Sequence, residues 1–129
     1  MHIVVLEVDE HQHKAVSYTE RCDWLRMGRI TDTYITESDV TLPVHFIRYN
    51  SDGYFLWGRQ MKTQPSIRMN ALKELLLASI ADNDTSHRMI VHHLYYDGQE
   101  EHRTLKFKTV AEFESCVDSR FPFTRRPRA

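Results

Sequence analysis

Residues 2–8 (HIVVLEV) form a short, β-branched and almost wholly apolar run, a pattern that predicts a strand covered on both faces. Residues 9–14 (DEHQHK) are polar and predict a solvated loop. Over 17–28, Ser17 and Glu20 stand at capping-box spacing and Gly28 stands where a helix stops. A short helix with Tyr18, Cys22 and Leu25 on one side is expected there, with a pair of irregular strands as the competing reading. Residues 31–36 (TDTYIT) are weakly strand-like.

Two β-rich runs, 44–49 (VHFIRY) and 54–59 (YFLWGR), flank Asn50, Ser51, Asp52 and Gly53. That arrangement predicts a hairpin. Side chains alternate along a strand, so pairing Tyr49 with Tyr54 puts His45, Ile47, Tyr49, Tyr54 and Leu56 on one face. Val44, Phe46, Arg48, Phe55, Trp57 and Arg59 occupy the other. Both faces are largely apolar, so such a ribbon is either sandwiched or keeps one face for a partner.

Gln64, Pro65 and Ser66 open a helix. Ser66 suits the N-cap, and Met69, Leu72, Leu76 and Ile80 recur at 3–4 spacing as its buried stripe through about residue 81. After a polar turn at 82–86, residues 88–96 and 101–108 predict a second hairpin around Asp97 and Gly98. A four-residue loop there places Ile90, His92, Leu94 and Tyr96 on one face with Leu105 and Phe107. Thr109 and Glu112 form a T-x-x-E capping box for a closing helix that buries Val110, Phe113 and Val117 and ends at Phe121–Pro122. The expected fold is α+β: an antiparallel sheet of four to six strands, in ββα-ββα order, with two or three helices packed on one face. One domain spans 1–118, and 119–129 form a basic tail.

Composition narrows the function classes. Leu, Ile, Val and Phe make up a quarter of the 129 residues, and 17 basic residues balance 18 acidic ones, which excludes wholesale disorder. Four glycines leave little material for phosphate-cradling loops. No apolar run is long enough to span a membrane. The first residues carry no basic n-region and too short an apolar run for a signal peptide, so an intracellular, cytoplasmic protein without a membrane partner is expected. The net charge of −1 hides an asymmetry. The tail holds Arg120, Arg125, Arg126 and Arg128 with no acid, so the remaining 118 residues sum to −1 − 4 = −5.

No linear catalytic signature is present: no G-x-S-x-G, P-loop, H-E-x-x-H or dinucleotide fingerprint. No cofactor and no metal are expected. Of the eight histidines, His11 and His13 form H-x-H, and the adjacent His92 and His93 must point to opposite faces. His93 and His102 are expected near one another across the second hairpin. Cys22 and Cys116 are expected as free thiols that pack in the core.

The leading expectation is a small, non-enzymatic protein-binding or regulatory module, an inhibitor or adaptor by type. It acts through Phe46, Arg48, Phe55, Trp57 and Arg59 with Arg125 and Arg126 of the tail, on a protein partner or in a homodimer. Aromatic and Arg residues are enriched at such interfaces. One alternative is a single-stranded nucleic-acid binder, with Phe46, Phe55 and Trp57 stacking bases while Arg48, Arg59 and the tail hold phosphates. The other is a small His-dependent hydrolase or nuclease, in which two of His11, His13, His92, His93 and His102 converge with Asp9 or Glu101.

Overall fold

The computed structural model of the chain describes residues 3–8, 17–37, 42–98 and 100–121. The expected loop at 9–14 with His11 and His13, and the tail residues Arg125 and Arg126, lie outside the described residues. Among the described residues nine elements follow one another: β1 (Ile3–Val8), α1 (Ser17–Glu37), β2 (Val44–Tyr49), β3 (Tyr54–Leu56), β4 (Arg59–Met61), α2 (Pro65–Ala81), β5 (Met89–Leu94), β6 (His102–Phe107) and α3 (Val110–Arg120). The class is α+β. The order is not ββα-ββα, and the four-stranded sheet, β1-β2-β5-β6, is mixed. β2 pairs in parallel with β1 and β5, and β6 runs antiparallel to β5.

The first expected hairpin does not form. Every residue of β2 is buried, and it runs between two other apolar strands instead of turning back on 54–59. A strand covered on both faces reads as a nearly continuous apolar run, and parallel interior strands have this signature. Asn50 leaves the turn and becomes an anchor. Fully buried, it donates from Nδ2 to the Tyr95 carbonyl (2.8 Å) and accepts at Oδ1 from Asp52 N–H (3.1 Å). The ribbon that does form is β3–β4, turning at Trp57 and Gly58.

The second hairpin forms with a different register. β5 and β6 pair Leu94 with His102 and Met89 with Phe107, so the loop is seven residues long, 95–101. The pairing is one residue off the expected one, and a one-residue slip exchanges faces. Leu105 and Phe107 therefore lie with Val91 and Met89. Thr104 and Lys106 lie with His92 and Ile90.

Helices cover both faces of the sheet, not one. On the front, α1 and α3 bury Trp24, Met27, Phe113 and Val117 against Val44, Phe46, Met89 and Val91. On the back, α2 and the β3–β4 ribbon bury Leu72, Tyr54 and Leu56 against Ile47, Tyr49 and Leu94. α1 runs well past Gly28 and takes in 31–36. Thr31 and Thr33 fit the helix because their hydroxyls donate to the Met27 and Arg29 carbonyls (3.0 and 2.9 Å). Among its described side chains Trp24, Met27 and Thr31 are buried, whereas Leu25 is half-buried and Cys22 an exposed free thiol; Cys116 is a half-buried one. α2 begins at Pro65 after Gln64, and it buries Arg68, Leu72 and Ser79 while Met69 and Ile80 face outward. α3 matches expectation: Thr109 Oγ1 accepts from Glu112 N–H (3.1 Å), and Val110, Phe113 and Val117 are buried. Among the described residues no helix is long and apolar enough to cross a membrane.

Gly28 does not stop a helix; it lets α1 approach α3. A Cβ there would stand 3.2 Å from Cε1 of the fully buried Phe113. A helical Gly→Ala exchange normally gains about 1 kcal/mol. Gly28→Ala is expected to gain less, and Gly28→Val to lose about 1–3 kcal/mol through overpacking. Thermal denaturation of the two variants checks this.

Candidate functional site

The β3–β4 ribbon alternates as a two-sided strand should. Tyr54 and Leu56 point into the back-face core, while Phe55 is 50% exposed. Trp57 and Gly58 form the turn with φ of 53° and 75°. Two consecutive positive φ values are the mark of a primed hairpin turn, whose first position favours Asn, Asp or Gly. A bulky L-residue held left-handed costs about 1–2 kcal/mol. Trp57 is 72% exposed, so little packing within the chain offsets that strain.

The ribbon is fixed from below. Phe55 N–H donates to Asp97 Oδ1 (2.9 Å), and Gly98 N–H donates to the Phe55 carbonyl (3.0 Å). The Tyr54 hydroxyl donates to Glu101 Oε1 (3.1 Å) and lies 2.6 Å from Thr63 Oγ1. Arg68 is buried under the ribbon. Its Nη1 donates to the carbonyls of Asn50 (2.9 Å) and Asp52 (3.0 Å), and its guanidinium lies 5.1 and 4.6 Å from the Tyr54 and Tyr95 ring centres. Burial pushes both phenols up from their ordinary range, so they stay neutral.

The residues expected to form one partner face do not stay together. Phe55, Trp57 and Arg59 are exposed on the ribbon. Phe46 is 1% exposed in the front core. Arg48 is buried on the same front face, beside Asp23 (3.4 Å) and Glu7 (3.9 Å). The split follows from the lost hairpin: 44–49 and 54–59 belong to different sheets.

A second constellation crosses the back face. His45 Nε2 lies 2.8 Å from Asp82 Oδ2, and His45 Nδ1 lies 3.0 Å from His92 Nε2. His92 Nδ1 then meets His102 Nε2 (3.1 Å) and Thr104 Oγ1 (3.2 Å). The order of protons follows from the carboxylate, which only accepts. His45 donates to Asp82 from Nε2, and a neutral His45 ring then accepts at Nδ1 from His92 Nε2–H. His92 Nδ1 then accepts from the Thr104 hydroxyl or from His102.

The Asp84 backbone N–H, and after it His45, hold the Asp82 carboxyl below the usual carboxylate range. Burial, followed by the neighbouring His45 and His102, lowers the His92 pKa to about 3. A base so weak makes a poor proton acceptor at neutral pH, because general-base efficiency peaks when the pKa lies near the working pH. His45 and His92 each engage both ring nitrogens along the chain instead of aiming them at one point. Among the described residues no group of three His, Cys, Asp or Glu is arranged to hold a metal ion. The chain is a clasp joining β2, β5, β6 and the end of α2.

Adjacent His92 and His93 do point apart. His93 stacks on Trp24 on the front face (centroids 5.4 Å) and does not approach His102 across the hairpin; His92 does. Glu101 serves Tyr54, and the carboxylate that completes the chain is Asp82. Sequence reasoning missed His45, Asp82 and Thr104. Their only signal was the parallel β2–β5 register, which puts His45 one step diagonally from His92. No family model, no curated protein and no solved structure matches this chain.

Proposed function

We propose that this chain is a non-enzymatic protein-binding module whose anchor is the Trp57 side chain, flanked by Phe55 and Arg59 on the β3–β4 ribbon. The partner is a protein that offers Trp57 an apolar pocket. The reading rests on one observation: a tryptophan occupies a left-handed turn position that Asn or Gly fills with less strain, and it is 72% exposed. Buried Trp and Arg anchors carry most of the energy at protein interfaces. The nucleic-acid alternative loses its platform, because Phe46 and Arg48 lie in the interior and cannot stack or bind phosphate beside Trp57. Against the histidine-hydrolase alternative, His92 is a weak base and Glu101 is engaged by the Tyr54 hydroxyl, while His11, His13 and Asp9 lie outside the described residues. An intracellular setting fits the exposed Cys22 thiol and belongs to this proposal.

Trp57→Asn tests the reading without knowledge of the partner. Relief of turn strain is expected to raise stability by about 1 kcal/mol. A loss of stability instead would make Trp57 a folding residue and end the proposal. A photo-crosslinker at Phe55 should trap one protein species whose capture falls about thirtyfold, or about 2 kcal/mol, with Trp57→Asn. Equal capture by the variant, or binding of a single-stranded oligonucleotide that weakens steeply between 50 and 200 mM salt, would overturn it.

A further inference from the structure

Among the described residues β1 is an edge strand of the four-stranded sheet, with β2 as its one neighbour. Natural edges are blunted by Lys, Pro, bulges or inward charges. β1 reads IVVLEV, with no Lys, no Pro and a single charge. That charge, Glu7, is held by Arg26 and lies beside Arg48 on the front, so the back of the strand carries no charge at all. On the back, Leu6 and Val8 are 42% and 56% exposed. A groove of about 480 Å³ runs beside the strand, lined by Val5, Arg26, Arg29, Ile30, Thr33 and Tyr34.

We propose that two copies of this chain pair through β1, antiparallel, about a two-fold axis at Leu6. The axis that pairs a strand antiparallel with its own copy stands perpendicular to the sheet, so like faces stay together. Only positions of the same parity then oppose one another. Centring on Leu6 sets Leu6 against Leu6 and Val4 against Val8 of the second copy, and both exposed apolar side chains are covered. Centring on Val5 instead would leave Val8 opposite His2. In the Leu6 register, Val5 opposes Glu7 of the second copy. That carboxylate, held by Arg26 of its own copy, comes beside a groove that adds the guanidinium of Arg29. Apolar complementarity on the back and charge complementarity on the front both favour a second copy over an unrelated strand. The result is one continuous sheet with four strands from each copy. This interface is separate from the Trp57 ribbon.

Cysteine pairing reads the register directly. In a Cys22→Ser, Cys116→Ser background, Leu6→Cys faces itself at cross-strand distance, about 5.5 Å between Cα atoms, within disulfide range. It is expected to give a covalent dimer on mild oxidation. Val8→Cys lies about 14 Å from its own copy at about 3.4 Å per residue, and is expected to remain monomeric in the same assay. Sedimentation equilibrium of the native chain should show a dimer. Leu6→Lys, which sets like charges face to face, should weaken that dimer at least about tenfold, and Trp57→Asn should leave it unchanged. Equal cross-linking at the two positions overturns the register. A monomer at about 100 µM native chain with no Leu6→Cys cross-link overturns the dimer itself.

Discussion

Urea unfolding followed from pH 7.5 down to pH 5.0 is expected to show this protein losing about 4 kcal/mol of stability. His92 and His93 are both buried, and in the fold both hold pKa values of about 3 against 6.5 in the free side chain. For His92 the main cause is burial, followed by His45, His102 and Lys106, with Asp82 acting weakly the other way. For His93 it is burial again, then Arg48, Arg120, Arg103 and His92. Below pH 6.5 the unfolded chain takes up a proton at each site and the folded chain refuses it. The stability each neutral histidine contributes is therefore complete above about pH 6.5 and is lost progressively as the pH falls toward 3. At pH 5, one and a half units below the free value, the loss is about 2 kcal/mol for each.

His102 and Asp82, whose pKa values are also lowered, act in the same direction, Asp82 only near and below its ordinary range. The two main contributions are separable. His93→Phe keeps a ring against Trp24 and removes one titrating group, so the drop between pH 7.5 and 5.0 should fall to about 2 kcal/mol. A stability profile flat to within 1 kcal/mol over that range would mean that His92 and His93 charge inside the fold.

Where the polar and apolar pattern and the end signals agreed, the sequence was readable. Thr109 and Glu112 cap α3, and Val110, Phe113 and Val117 line its buried side, because local hydrogen bonding and burial specify the same helix. The second hairpin was legible as a pair but not in register, since register depends on loop length, and Asp97-Gly98 marks the turn without fixing where the strands on either side of a seven-residue loop begin to pair. β2 was misassigned for a physical reason. Its apolar faces, with Asn50–Gly53 after it, fit a hairpin arm and a buried parallel strand equally well in isolation. Only the presence of two other apolar strands, 3–8 and 89–94, distinguishes them.

Arg68 shows the same limit in α2. The 3–4 spacing of Met69, Leu72, Leu76 and Ile80 predicted a stripe that the fold rotates, so an arginine is buried while Met69 and Ile80 are 57% and 49% exposed. No periodicity argument buries an arginine. It goes inside because β2 ends on carbonyls that need a donor.

The candidate site followed the same rule. Phe55 is exposed because the ribbon's alternation survives at three residues per strand, and Trp57 because it sits in the turn; the sequence grouped them on one face that was either packed or open. Phe46 and Arg48 were grouped with them by a hairpin that does not exist. The imidazole chain was invisible, because each contact joins different strands: His45 on β2, His92 on β5, and His102 and Thr104 on β6.

Arg68→Met is expected to cost about 3 kcal/mol. The guanidinium supplies donors to two carbonyls, Asn50 O and Asp52 O, and lies against the rings of Tyr54 and Tyr95. Methionine replaces the stem and much of the volume, so packing is nearly conserved and the lost donors dominate. A buried acceptor stripped of a charged donor costs about 1.5–3 kcal/mol, and the second carbonyl adds to that. Relief from desolvating a guanidinium offsets part of the sum. Arg68→Lys keeps a charged donor for the two carbonyls that Nη1 serves but loses the flat guanidinium lying against the Tyr54 and Tyr95 rings, and should lose about half as much.

The effect should concentrate in the ribbon. Arg68 ties the 50–52 corner to the rings of Tyr54 and Tyr95, and Phe55, next to Tyr54, is bonded to Asp97 and Gly98 through its amide and carbonyl. Hydrogen exchange at the Phe55 and Gly98 amides is expected to accelerate more than at Ile47 or Val91 in the central strands. A ribbon loosened in this way presents Trp57 less rigidly, so partner capture should weaken in Arg68→Met even though Arg68 is 5% exposed and touches no partner. Uniform acceleration across all four amides would instead mark Arg68 as a general core residue with no particular hold on Trp57.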